Sequence, residues 1–170
     1  MQENTSIATE LTEVLRYAGY RGKIDEAAPE LIAKIKALAA EAPIVPRSVC
    51  KCVGEALYLV GTIGAEFDRW QRRLSVKSAA DALLAQAIGA AAVEKVMDEV
   101  EARAKAEIKG AEFGPRRSPG YGEMPLALSR EILEKTEAAK ILGVYATADN
   151  LLVPAKSVTA ICVKVKGKKV

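Results

Sequence analysis

The sequence predicts an α+β fold, with helices and strands mixed without a strict βαβα rhythm. Three observations carry that prediction. Residues from about Lys77 to Lys109 set Leu84, Ile88, Ala91, Val96 and Val100 along one side of a long helix, which Gly110 closes. The run Glu55–Gly61, EALYLVG, is short and apolar, as a buried strand is. Near the end, Val158, Ala160 and Cys162 alternate with Thr159, Ile161 and Val163, the two-residue period of a strand.

The other elements follow in chain order. Residues 5–18 read as a first helix, with Ile7, Leu11, Val14, Leu15 and Ala18 at helical spacing and Gly19 ending the run. Asp25 is placed to cap a second helix, which carries Leu31, Ile32, Ile35 and Leu38 on one face and stops before Pro43. Residues 44–53 read as extended, because Val49, Cys50, Cys52 and Val53 favour strands; Pro46 suggests an edge or an entry position. Gly61-Thr62-Ile63-Gly64 turns the EALYLVG strand into an amphipathic helix over 64–73 carrying Phe67 and Trp70. A Gly- and Pro-rich loop spans 110–125. A helix over 127–141 holds Leu128, Ile132, Leu133 and Ala139. Two strands, about 144–153 and 157–166, are separated by Pro154-Ala155-Lys156. The reading is one domain over 1–170: N-terminal helices over 1–42, a sheet-and-helix core over 43–166 and a basic tail over 167–170.

Composition narrows the function. Half the residues are apolar and 28% are charged, the balance of an ordinary globular chain. Aromatics are scarce and Ala abundant, so the core is expected to be Ala, Leu, Ile and Val on closely packed helices. A net charge of +3, from 25 basic and 22 acidic side chains, is too balanced to argue for nucleic acid. The Lys-rich tail, Lys164–Val170, reads as the solvated end of a strand. Met1–Ser6 is polar, unlike a signal peptide, and no apolar run reaches the ~18 residues of a membrane span. Three cysteines in that setting suggest reduced thiols and a cytoplasmic protein. There is no histidine, which excludes Ser-His-Asp and Cys-His catalysis, His-ligated zinc and a His ligand to a corrinoid cobalt.

Four constellations remain. Cys50 and Cys52 share one face of a strand, but further ligands are lacking and the spacing does not suit a redox pair, so they read as small buried hydrophobes. Gly61–Gly64 matches no phosphate-binding fingerprint and reads as a tight strand-to-helix turn. Glu94 follows the small-residue run Ile88–Val93. It reads equally as the partner of Lys95 or another cation, or as an acceptor for a ligand amine or hydroxyl. The stretch Arg116-Arg117-Ser118-Pro119-Gly120-Tyr121-Gly122-Glu123-Met124-Pro125 combines two guanidiniums and a phenol with residues that fix and open the backbone. Such a loop suits a ligand better than it suits a plain connector.

That loop resembles the loop of the activation domain of cobalamin-dependent methionine synthase. The family's Arg-x-x-x-Gly-Tyr is matched by Arg116, Gly120 and Tyr121. Ile88–Glu94 resembles the helix that carries the family's acidic ligand residue. Leu142-Gly143…Thr147 and Val153–Val158 resemble the strand pair after the loop. Val14–Tyr20 is similar to the opening of short, stand-alone relatives.

The resemblance implies a twisted antiparallel sheet flanked by helices. It also implies binding of S-adenosylmethionine and support for reductive reactivation of an oxidised cobalamin, a step in methionine biosynthesis. Its partner would be a corrinoid protein or corrinoid-dependent methyltransferase that carries the cobalamin. Arg116 would hold the methionine carboxylate, and Glu94 would meet the amino group or sulfonium side. The backbone at Pro119 and Gly120 would line the cofactor, and Tyr121 would stand between it and the corrinoid. No catalytic residue and no metal ligand is assigned. The family's early acidic residue and late Tyr have no counterpart here, so an interaction module for a corrinoid protein, without a cofactor of its own, is the alternative. An enzyme that methylates another substrate ranks behind both, since only Glu94 and Glu123 offer a base near the loop. Methionine synthase activity itself is not expected of this chain.

Overall fold

The computed structural model describes residues 11–23 and 26–165. The elements are α1 (Leu11–Tyr17), α2 (Pro29–Glu41), β1 (Arg47–Val53), β2 (Ala56–Thr62), α3 (Ala65–Lys77), α4 (Ala79–Glu107), α5 (Leu128–Thr136), α6 (Ala138–Leu142), β3 (Tyr145–Ala146), β4 (Leu152–Val153) and β5 (Ser157–Val163). The predicted capping residue Asp25, Ile7 of the first helix and the tail beyond Val165 lie outside the described residues. In what is described, α2 begins at Pro29 with no side-chain cap at Ala28.

The main sheet is antiparallel, in the order β1-β2-β5. Gly54, at φ 58°, makes the tight turn between the first two strands. The register sets Cys52, Leu57 and Cys162 in one row and Cys50, Leu59 and Ala160 in the next. β2 is central and buried on both faces, which is why EALYLVG reads as an unbroken apolar run. Leu57 and Leu59 face Met97, Val100 and Ala104 of α4, while Tyr58 and Val60 face Ile132 and Leu133 of α5 and Leu142 of α6. The sheet thus lies between α4 on one side and α5 with α6 on the other. A further cluster joins α1, α2 and α3 to the first half of α4.

Helix α4 organises all of this. Ser78 Oγ accepts from the Asp81 amide at 3.2 Å and caps it. Small residues allow neighbours to come close. At Gly89 an added Cβ would stand 2.5 Å from Phe67 Cε1 and 2.9 Å from Lys156 Cε. At Gly61, on the facing strand, it would stand 2.7 Å from Met97 Sδ. Despite its length, neither α4 nor any other described helix is apolar enough to cross a membrane.

Two predicted elements are corrected. The helix over 127–141 is broken at Glu137, which adopts φ 54° and separates α5 from α6. An unbroken helix would turn Ala138 and Leu142 away from the sheet; the break points both into the cluster around Val60. The strand over 144–153 is instead the hairpin β3–β4, turning through Thr147–Asn150 with Asn150 at φ 63°. Arg130 braces that turn, its Nε donating to Asn150 Oδ1 at 2.6 Å and its Nη2 to the Thr147 and Ala148 carbonyls.

Candidate functional site

The 110–127 loop begins as an extension of the sheet. Gly114 N donates to Val163 O, and Arg117 exchanges hydrogen bonds with Ile161 at 3.0 and 2.9 Å. Arg116 lies inside this stitched segment, which fixes its main chain. Beyond it the chain turns sharply: Tyr121 N donates to Ser118 O and Gly120 N to Met124 O. Gly120 sits at φ 87°, a conformation natural to glycine, and a Cβ there would press on Leu126 at 3.2 Å.

The Arg116 guanidinium is 16% exposed and meets three carboxylates of α4. Its Nη2 donates to Glu94 Oε2 at 2.7 Å and pairs with Asp98 Oδ1 at 2.9 Å. Its Nη1 stands 3.4 Å from Glu101 Oε2, an ion-pair distance, yet is buried with no hydrogen-bond acceptor among the described residues. Lys105 takes the other oxygen of Glu101 at 2.7 Å. Cys162 Sγ donates to that same oxygen at 3.8 Å, and burial pushes the thiol up to about 11. Three carboxylates against one guanidinium and one ammonium leave the cluster net negative.

Of the two readings of Glu94, the structure shows a cation partner, and the cation is Arg116 rather than a surface lysine alone. Asp98 and Glu101 are residues that sequence reasoning missed. The signal was present: Glu94, Asp98 and Glu101 repeat at four and three residues, one face of a helix. Pro119 is buried and Tyr121 is 78% exposed. Both line a recess of about 230 Å³ with Ser118, Leu126, Ser129 and parts of 150–159. Polar atoms reach its floor through Ser129 and Thr159, whose hydroxyls bond at 3.0 Å. Glu94 opens onto a different depression, of about 400 Å³, with Asp98, Glu13, Ala91 and Lys95. The structure thus brings Glu94 to Arg116 and Pro119 to Tyr121, but Glu94 lines one hollow and the Pro119–Tyr121 bend another, with Arg116 in the lining of neither.

The other constellations are quiet. Gly61 and Thr62 belong to β2, and the Gly64 amide already donates to Thr62 Oγ1, so the turn presents no free anion cradle there. Cys52 is exposed and Cys50 half-buried, correcting the expectation that both are buried. Edge strand β1 leaves them uncovered. No cluster able to hold a metal occurs among the described residues.

No protein-family model matches the sequence, and no curated protein matches it. Among solved structures, the chain is similar to a crystal structure of the MetH reactivation domain bound to AdoHcy. The TM-score is 0.61 at 14% identity, over 94% of this chain and 66% of that one. The chain therefore spans just under two thirds of that neighbour's length. What the likeness shows is the fold: a three-stranded antiparallel sheet flanked by helices, as in the MetH reactivation domain.

Proposed function

We propose that this protein binds S-adenosylmethionine at the Arg116–Tyr121 loop and supports reductive methylation of a corrinoid held by a partner methyltransferase. The observation that carries the reading is the loop itself. Within the fold of a domain seen bound to AdoHcy, Arg116 is paired with Glu94 of α4 and lies three residues before a Pro-Gly bend that projects an exposed tyrosine. The ligand offers a carboxylate, an ammonium, a sulfonium and an adenine. A guanidinium answers the first, a carboxylate the cations, and a tyrosine face with a recess beside it answers a flat ring. Gly120 fits the reading, since a side chain there would fill the space beside Leu126.

When bound, S-adenosylmethionine supplies an activated methyl group. The chain's part is positioning. Arg116 and Glu94 would fix the amino-acid end, Pro119 and Gly120 would line the nucleoside, and Tyr121 would face the corrinoid. Holding the methyl carbon in one orientation lowers the entropic cost of transfer. Calorimetry with S-adenosylmethionine and AdoHcy tests this on wild type, Arg116→Ala and Tyr121→Ala. Wild type is expected to bind both and the two variants to bind more weakly. Absence of heat at high ligand concentration in folded wild type would refute the reading.

A second reading is favoured by one observation: Arg116 is already engaged by three carboxylates. It makes the chain a docking module for a corrinoid protein with no cofactor of its own. Co-purification with that protein, without any S-adenosylmethionine binding, would select it.

A further inference from the structure

We propose that Asp98 is an internal competitor for Arg116 and sets how strongly the site takes ligands that carry a carboxylate. The inference rests on the S-adenosylmethionine reading above and concerns the same guanidinium. An Arg terminal nitrogen bears two N–H groups; Nη2 donates one to Glu94 at 2.7 Å, and Asp98 Oδ1 crowds the same nitrogen at 2.9 Å as an ion pair without a hydrogen bond. A ligand carboxylate reaching Nη2 meets one of these two carboxylates already in its place. The three acidic neighbours differ in what displacement costs. Glu101 is mostly buried and also holds Lys105 and the Cys162 thiol. Glu94 is the carboxylate proposed to receive the ligand's cations. Asp98 is 71% exposed, and its one ion pair among the described residues is with Arg116. Released, it returns to water with little desolvation to reverse. It occupies the place of a ligand carboxylate, and its charge repels one.

A competitor of this kind makes a directional demand. Removing its charge should tighten ligands with a carboxylate and leave alone those without. An exposed pair is weak, so the gain is modest, about three- to fivefold.

The experiment titrates S-adenosylmethionine and decarboxylated S-adenosylmethionine into wild type, Asp98→Asn and Glu99→Gln, with thermal melts confirming folding. Glu99 is the exposed neighbour on the same helix, so its variant makes an equal change in charge beside Arg116's partners. Asp98→Asn is expected to bind S-adenosylmethionine about three- to fivefold more tightly, with the decarboxylated ligand unchanged or weaker and Glu99→Gln like wild type. Unchanged or weakened binding of S-adenosylmethionine by Asp98→Asn would overturn the competitor role while leaving the site reading in place. So would an equal gain for both ligands. Binding of neither ligand to any of the three proteins would overturn the site reading, and this inference with it.

Discussion

Replacing Gly89 by Ala sets two known effects against each other. In a solvent-exposed helix the change is favourable by about 1 kcal/mol, because glycine is the more costly helix residue. Here the new methyl would lie 2.5 and 2.7 Å from two ring carbons of Phe67 and 2.9 Å from Lys156 Cε. Carbon atoms pack best at about 3.5–4.0 Å, so the overlap with the ring is about 1 Å. The Lys156 stem is flexible and can swing. The Phe67 ring is fully buried and leans on Trp70, with centroids 5.3 Å apart, so it has no space to retreat into. Relief must come from moving α3 off α4 or from a poor rotamer, at about 1–3 kcal/mol. We expect a net loss of up to about 2 kcal/mol, read as a melting temperature up to about 8 °C lower in a chain of this size. Calorimetric melts of wild type and Gly89→Ala measure it. Phe67→Leu in the same background is expected to reduce the loss, because the smaller side chain vacates the overlapping volume. A rise in melting temperature on Gly89→Ala alone would refute the packing argument and show that helix propensity decides at this position.

Two further outcomes are expected. Lys156 is 8% exposed, and burial lowers its pKa against the opposing attraction of the Asp68 carboxylate. Lys156→Met, which keeps the apolar stem, should raise stability by about 1 kcal/mol in urea unfolding if desolvation outweighs the attraction to Asp68; a loss of that size would mean that the pairing with Asp68 prevails. Cys162 ionises at about 11 in the folded chain against an ordinary 9.0, so the unfolded chain releases this proton first. The stability tied to it is full below pH 9.0 and is lost as pH rises to about 11. Cys162→Ala should therefore flatten the alkaline fall in urea midpoints, a comparison in which the opposite contribution of Lys156 cancels. Identical pH profiles would refute it.

Much of the fold was legible because period and burial agree. The alternation in β5, the apolar run of β2 and the stripe of α4 each report a face that must be covered, and each element lies where it was expected. The breaks were not legible. Glu137 carries no glycine-like signal, and its left-handed conformation is imposed by the sheet that Ala138 and Leu142 must reach. The hairpin at 145–153 is set by Arg130, a residue about 20 positions away. The candidate site was half legible. Arg116, Gly120 and Tyr121 stand out by residue type. The shared helix face of Glu94, Asp98 and Glu101 was readable from their spacing, but that they gather around the guanidinium depends on the loop crossing α4, which that spacing does not encode.

The bonds between residues 114–117 and β5 have one more consequence. They run entirely through main-chain atoms, so they are indifferent to which side chain sits at 116. That position works as a socket: its address on the sheet edge is kept while its occupant is exchanged. The guanidinium at 116 can therefore be exchanged for another group without redrawing the route of the chain.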